Sequence, residues 1–256
     1  QAGEVSQESS AVAIGKLAGK ADQGNSSVAI GISTGETSQG NSSIAIGQNA
    51  GQNQQGSTAI AIGYYAGSGD QAGSSIAIGQ NAGQNSQGGN AVAIGLLAGK
   101  TQQGDYTVAI GQHAGSGDQG LGAVAIGRYA GENSQASYAI AIGENAGQNQ
   151  QGSHGVAIGR NAGCGNNNSY SVCIGDAAGQ DINNLAGYQA LGNRTIAIGK
   201  GALTGTVAHS DTIVLAGTGN TGGSGRFYTG VMRDATGNEY VHYAGGELVR
   251  GNNYSD

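Results

Sequence analysis

The stretch Ile44-Ala45-Ile46-Gly47 recurs almost unchanged along the chain and decides its architecture. The first copy is Val12-Ala13-Ile14-Gly15, and the eleventh is Val172-Cys173-Ile174-Gly175. The closing glycines are all 16 residues apart, at positions 15, 31, 47, 63, 79, 95, 111, 127, 143, 159 and 175. A short fixed period is typical of solenoids, in which each repeat is one structural unit that stacks on its neighbours. The sequence therefore predicts a regular stack of 16-residue coils over residues 11–175.

Each copy of the motif has the pattern of a short β-strand, whose side chains alternate between two faces. With the closing glycine as position 0, positions −3 and −1 are bulky, as in Ile44 and Ile46, whereas positions −4 and −2 are small. We expect the bulky pair to form the core of the coil. The small face lacks the charged and polar side chains of a solvated strand, so we expect it to pack against other chains; the alternative is a solvated surface of Ala and Ser. The residues predicted to lie between chains are Ala45, Ala77, Ala109, Ala141 and Cys173.

Two further features recur in each coil. Glycine occupies positions 0 and +4 in all eleven copies, which predicts corners with a positive φ or a close backbone approach. Position +8 is Gln from Gln23 through Gln151, and stacked Gln side chains are predicted to form an amide ladder along the solenoid axis. Positions +1 and +2 vary freely, which indicates an outer rim.

These patterns predict an all-β fold, a parallel β-solenoid of two-sided coils known as a β-roll. Eleven coils at about 4.8 Å each would give a rod of roughly 50 Å. Each coil buries about two Val or Ile side chains, worth roughly 1.5–3 kcal/mol each, against a backbone ordering cost of about 1–2 kcal/mol per residue. A single thin roll is therefore marginal, which favours association of several chains.

The exact period ends after Gly175, and the next Ile-Ala-Ile-Gly closes 24 residues later at Gly199. This interval fits either an inserted loop of eight residues or two shortened coils of 12. We favour shortened coils over residues 176–215, because Gly187 and Gly199 each begin a G-x-x-A-L element. Ile213-Val214-Leu215 is then predicted to be the last core strand.

The two ends of the chain differ from the array in composition. Residues 1–10 are polar and are predicted to form a linker, and residues 216–225 form a Gly-rich linker. Residues 226–256 contain the only Phe and the only Met of the chain. Short strands on either side of Thr236-Gly237-Asn238 and a third after Gly245-Gly246 predict a small β-meander, a tip that would cover the open end of the roll.

Composition argues against several functions. The net charge is −6 with no basic patch, so we expect no nucleic-acid partner, and no apolar run approaches the roughly 20 residues needed for membrane insertion. The four His are scattered without metal-ligand spacing, and no metal or other cofactor is expected. Asp22, Asp70 and Asp118 share position +7 but lie in coils that are not adjacent, so they form no carboxylate pair. We therefore expect no enzymatic activity.

The two cysteines, Cys164 and Cys173, do not make a disulfide framework. We expect two thiols in a reducing compartment; the alternative is that Cys173 approaches its symmetry mates between chains. The chain begins at Gln1 rather than Met, which suggests a fragment or a processed product.

The V-A-I-G core preceded by small residues resembles the head repeats of trimeric autotransporter adhesins, which are left-handed parallel β-rolls wound three around an axis. Their repeat usually has 14 residues. The chain is more similar to fibre proteins of tailed phages and large viruses, in the A-I-G-x-x-A-G-x-x-x-Q-G array, in Gly187–Leu191, and in the segment from Arg226-Phe227-Tyr228 to Gly246-Glu247-Leu248. In such proteins this segment often precedes an intramolecular chaperone that trimerises the fibre, and Ser255-Asp256 resembles its start.

The resemblance implies a homotrimer, outside the cell in a virion tail fibre, that binds a glycan or protein receptor on the host cell surface. The alternative is the head region of a bacterial trimeric surface adhesin. An ice-binding solenoid is disfavoured because no Thr array is present, and a glycan-cleaving tailspike because no carboxylate pair is present. If the tip binds the receptor, the candidate contacts are Arg226, Tyr228, Arg233, Tyr240, His242 and Tyr243. The alternative is that the aromatic residues form the core of the tip.

Overall fold

The computed structural model describes residues 2–163, 169–180, 193–202, 213–215, 232–233, 239–242 and 248–250. These residues form a parallel β-solenoid with no helix among them. Each regular coil contributes one strand of three residues to a 13-stranded sheet, here called the wide sheet. Most coils also contribute a strand of two residues to a second sheet of seven strands, here called the narrow sheet. The predicted all-β solenoid is confirmed.

The wide sheet consists of Val12–Ile14, Val28–Ile30, Ile44–Ile46, Ile60–Ile62, Ile76–Ile78, Val92–Ile94, Val108–Ile110, Val124–Ile126, Ile140–Ile142, Val156–Ile158, Val172–Ile174, Ile196–Ile198 and Ile213–Leu215. The narrow sheet consists of Gln54–Gln55, Asp70–Gln71, Ser86–Gln87, Gln102–Gln103, Asp118–Gln119, Ser134–Gln135 and Gln150–Gln151. Val5–Gln7 pairs with Ala21–Gln23, and bridges through Gln39 connect that pair to the narrow sheet.

Equivalent residues of neighbouring coils are paired, as in Ile44 with Ile60 and Gln87 with Gln103. This register confirms the 16-residue coil. It also stacks the equivalent positions of successive coils into columns along the axis, so a residue type that recurs in the sequence becomes a row on the surface or in the core.

The core of the solenoid contains the small side chains, not the bulky ones. Ala at position −2, such as Ala77, and Ala at position +3, such as Ala82, are 0% exposed. Val and Ile at positions −3 and −1 point away from them and are exposed or half-buried, as in Ile14 and Ile110. The sequence-based assignment of the two strand faces was therefore wrong.

The reason is the narrow space between the two sheets. A Cβ atom added to Gly83 would lie 2.7 Å from Oε1 of Gln87 and 3.3 Å from Cβ of Ala77. An interior this thin accommodates Ala and the extended Gln side chain but has no volume for Val or Ile, because protein interiors are already close-packed. The alternation of the strand then places the β-branched residues outside.

The predicted amide ladder is confirmed and lies inside the coil. Gln55 is only 2% exposed, and its Nε2 donates to the carbonyl oxygen of Ile44 at 2.8 Å, across the interior from the narrow to the wide sheet. Neighbouring Gln side chains are linked along the axis, with Nε2 of Gln119 donating to Oε1 of Gln135 at 2.8 Å. The ladder satisfies part of the polar groups that are costly to bury, whereas Oε1 of Gln23, Gln39, Gln71 and Gln103 is buried without a hydrogen-bond partner.

The predicted glycine corners are also confirmed. Gly79 at position 0 has a φ of 127°, and Gly83 at position +4 has a φ of 52°. A Cβ atom on Gly79 would lie 2.6 Å from the carbonyl oxygen of Gly95 in the next coil, so both the conformation and the close approach require glycine.

The 24-residue interval before Gly199 adds one strand to the wide sheet, and residues 181–192 within it lie outside the described residues. Val172–Ile174 pairs directly with Ile196–Ile198, which places Cys173 beside Ala197. Two coils of 12 would need another strand between them, so the alternative of an eight-residue insertion is the one that fits. Ile213–Leu215 extends the wide sheet by one more strand, as expected. The G-x-x-A-L element at Gly187 lies outside the described residues.

Three short strands near the C-terminus, Met232–Arg233, Glu239–His242 and Leu248–Arg250, form an antiparallel sheet in chain order. This order is that of the predicted meander. That it covers the open end of the roll stays a prediction.

Candidate functional site

The outer surface of the wide sheet carries two columns of Val and Ile side chains at positions −3 and −1, here called the aliphatic face. Its exposed members include Ile46, Ile110 and Ile126, at 36% to 37%, and Ile14 at 58%. Thirteen strands at about 4.8 Å make this face about 60 Å long. A contiguous apolar surface of this extent is rare on soluble monomers and marks an interaction site.

The residues predicted to lie between chains are inside the coil instead. Ala45, Ala77, Ala109 and Ala141 are 0% exposed within one chain, and Cys173 is 2% exposed, so none of them offers surface to another chain. This is the consequence of the reversed faces, because position −2 points inward. Cys173 offers almost no surface within one chain, so its burial gives no support to the hypothesis that it approaches its symmetry mates. The Val and Ile residues at positions −3 and −1 are the interface candidates instead.

A ladder of alternating charge runs along position +1, on the rim beside the aliphatic face. Arg128 forms an ion pair with Glu144, and Arg160 donates to both carboxylate oxygens of Asp176 at 3.0 Å and 3.1 Å. The hydrogen bond from Arg160 lowers the pKa of the Asp176 carboxyl, with a smaller contribution from the charge of Lys200. The same hydrogen bond raises the pKa of Arg160.

This ladder was missed in the sequence, where positions +1 and +2 were interpreted only as a variable rim. The signal was present, because the charges at position +1 alternate in sign at intervals of 16 from Arg128 to Asp176. Its ion pairs are solvent-exposed, so they contribute little to stability individually.

An aromatic column occupies position −5 near the C-terminal end of the regular array. The rings of Tyr138, His154 and Tyr170 lie on consecutive coils with centroids 5.3 Å and 4.9 Å apart, and the second pair is nearly parallel. Both Tyr side chains are at least half exposed. The rings stack along the axis because the distance between neighbouring coils is close to the distance between ring centroids in offset aromatic pairs.

The receptor-contact candidates of the tip remain predictions. Arg226, Tyr228 and Tyr243 lie outside the described residues, and Arg233, Tyr240 and His242 lie on strands whose side chains are not described.

Within the described ranges, no three His, Cys, Asp or Glu side chains lie close enough together to hold a metal ion. Asp22, Asp70 and Asp118 are each separated by two intervening coils, in agreement with their spacing in the sequence. No helix long and apolar enough to cross a membrane is found among the described residues.

Comparison of the chain with protein-family models, with curated proteins and with solved structures gives no match. The chain itself shows a parallel β-solenoid of about 16-residue coils.

Proposed function

We propose that this chain is a segment of a homotrimeric virion tail fibre that attaches the particle to the surface of the host cell. The observation that carries the proposal is the aliphatic face. It is too long and too apolar for a surface that stays in water, and it runs the whole length of the wide sheet, which suits association of several copies around one axis.

Three copies can cover this face completely. Two chains would pack their aliphatic faces against each other as a closed sandwich. Three chains around a threefold axis would each turn the aliphatic face toward the axis and leave the narrow sheet exposed. The second arrangement matches the trimer implied by the resemblance to phage and viral fibres. The resulting rod is rigid because every coil is hydrogen-bonded to the next, and a rigid rod suits a part that holds a receptor-binding site away from a particle.

Assembly is tested by light scattering of the full chain after size-exclusion chromatography. We expect a mass of three times the 25.0 kDa of one chain. A monomer that stays soluble with its aliphatic face uncovered would contradict the proposal, and a dimer would contradict the trimeric arrangement.

Location is tested with antibodies raised against the full chain and applied to the source culture in electron microscopy. We expect labelling of fibres on virions, and we expect the antibodies to block adsorption of virions to cells. Labelling of a bacterial envelope without virions would support the adhesin alternative instead. These two results are mutually exclusive, so the experiment separates the two classes of protein that share this assembly.

A further inference from the structure

A column of polar side chains runs along the outer surface of the narrow sheet. Position +8 of each coil points into the core, so position +7 points to solvent, and it is exposed in all but one of the seven narrow strands, where it is half-buried. We call this row the polar column. Its members in chain order are Asp22, Ser38, Gln54, Asp70, Ser86, Gln102, Asp118, Ser134 and Gln150.

The polar column has its own period, because Asp, Ser and Gln follow each other three times in the same order. Each round takes three coils, which is about 14 Å along the axis. The fold requires no particular residue at an exposed strand position. Position +1 shows no such order; in the three coils with Asp it is Lys16, Tyr64 and Gln112. A regular row of exposed polar groups is suited to a ligand with a repeating structure.

A shallow, open groove lies along this column. It has a volume of about 680 Å³ and extends from Asp22 to Gly88, so it spans several consecutive coils. Position +9 contributes residues without a long side chain, such as Gly40 and Gly56, which leave room beside the polar column. The only charged residues that line the groove are Asp22 and Asp70.

We propose that this groove binds a linear, non-acidic glycan that lies parallel to the solenoid axis. Carboxylate and amide oxygens accept hydrogen bonds from sugar hydroxyls, and amide and hydroxyl groups of Gln and Ser also donate to them. A straight polymer is indicated because the same groups recur along the groove at a fixed interval. The carboxylates disfavour anionic polymers such as nucleic acid or sulfated glycans, because like charges repel in a groove of this kind.

The inference deepens the proposed attachment function by naming the receptor class, and it rests on that function for its biological role. The two surfaces are compatible, because the polar column and the aliphatic face lie on opposite sides of the roll. If three chains cover their aliphatic faces, three grooves remain open around the fibre. The glycan would then contact the shaft, not the predicted tip of residues 226–256.

The test uses the full chain and a set of immobilised oligosaccharides, with binding measured by biolayer interferometry. The neutral and amino-sugar probes are cellohexaose, chitohexaose and laminarihexaose, and the acidic probes are hexasaccharides of heparin and polygalacturonate. We expect binding to at least one of the first group, an affinity that rises at least tenfold from the disaccharide to the hexasaccharide, and no comparable binding to the acidic group. Absence of binding to all three of the first group, or binding to the acidic probes alone, would overturn the proposal.

A variant within the groove assigns the binding to the polar column. Gln54→Ala, Asp70→Ala and Ser86→Ala together are expected to weaken binding at least tenfold. The matched control is Gln48→Ala, Gln80→Ala and Gln112→Ala, which removes the same number of exposed polar side chains from position +1 on the far rim and is expected to change the affinity less than twofold. Equal binding by both variants, with circular dichroism like that of the parent, would show that the groove is not the site.

The glycan inference and the virion assignment can fail independently of each other. If the full chain is trimeric and its antibodies label virion fibres, but no probe binds, the fibre assignment stands and the glycan inference fails. If the glycan binds through the polar column but the antibodies label no virion, the binding surface stands and the virion assignment fails.

Discussion

At the scale of single residues, the buried Gln at position +8 is the least exchangeable polar side chain of the coil. Nε2 of Gln55 donates to the carbonyl oxygen of Ile44 at 2.8 Å and to that of Ala59 at 3.3 Å, and its Oε1 accepts from Gln39. These bonds connect the two strands of one coil with each other and with the preceding coil. The side chain therefore acts as the main filler of the core as well as a hydrogen-bonding group.

Gln55→Ala is expected to lower the free energy of unfolding by about 2–4 kcal/mol, because it leaves buried carbonyls without a donor and opens a cavity. The adjacent residue gives a matched control, since Gln54 is exposed on the same strand, and Gln54→Ala is expected to cost less than about 0.5 kcal/mol. The measurement is chemical denaturation followed by circular dichroism. Similar losses for the two variants would contradict the interior ladder.

The ion pair between Arg160 and Asp176 predicts a specific titration behaviour. Because the hydrogen bond from Arg160 lowers the pKa of Asp176 below its ordinary value of 3.8, the stabilisation is present above that pH and is lost as the pH falls through the lower pKa of the folded state. NMR titration of the Asp176 carboxyl should give a value below 3.8, and Arg160→Gln should raise it toward 3.8. Arg128→Gln, which removes the neighbouring pair, should leave that pKa unchanged.

At the scale of the element, the sequence predicted the coil well but assigned its two faces the wrong way round. The period, the strand, the glycine corners and the Gln ladder all followed from residues that recur at fixed positions. The faces did not, because the general preference of Val and Ile for the interior was applied to a coil with too little interior volume. The strictness of single positions would not have corrected the error, because position −2 is Ala in ten of eleven coils and position −1 is Ile in all eleven.

The 24-residue interval between Gly175 and Gly199 illustrates a second limit of prediction from the sequence. A similarity between the elements at Gly187 and Gly199 favoured two short coils, but strand pairing depends on which segments reach the edge of the sheet. Val172–Ile174 offers the next strand an edge of Val, Cys and Ile, and Ile196-Ala197-Ile198 matches it in alternation and size. Register is set by such a match, so Ile196–Ile198 is the strand that pairs with Val172–Ile174.

The corner at position 0 gives a prediction at this scale. Gly79→Ala is expected to destabilise the protein by more than about 3 kcal/mol, because its φ of 127° is unfavourable for Ala and the new Cβ would meet the carbonyl of Gly95 at 2.6 Å. Gly73→Ala is the control; its nearest neighbour would be the oxygen of Ser57 at 3.3 Å, and other coils carry Asn or Ser at that position. The readout is the thermal unfolding midpoint. Similar unfolding midpoints for the two variants would contradict the close approach of Gly79 to Gly95.

At the scale of the whole molecule, the reversed faces make the stability of one chain depend on its association with others. A core of Ala and Gln buries little apolar area per coil, so the coil itself contributes only a small hydrophobic stabilisation. The Val and Ile side chains that would normally supply this stabilisation lie on the outer surface. They contribute their full hydrophobic stabilisation only when another chain covers them. Folding and assembly are therefore expected to be coupled, as in obligate oligomers whose separate chains are not stable.

This coupling predicts the effect of charge on the aliphatic face. Ile78→Glu together with Ile110→Glu is expected to reduce the assembly from three chains to one, because the two carboxylates of each chain would have to be buried without partners. The matched control is Gln80→Glu together with Gln112→Glu, which introduces the same charge two residues away on the same coils but at the rim, where the side chains stay in water. Light scattering should report three times 25.0 kDa for the control and 25.0 kDa, or unfolded chain, for the aliphatic variant. Circular dichroism separates those two cases, and a trimer that persists in the aliphatic variant would mean that the chains associate through another surface.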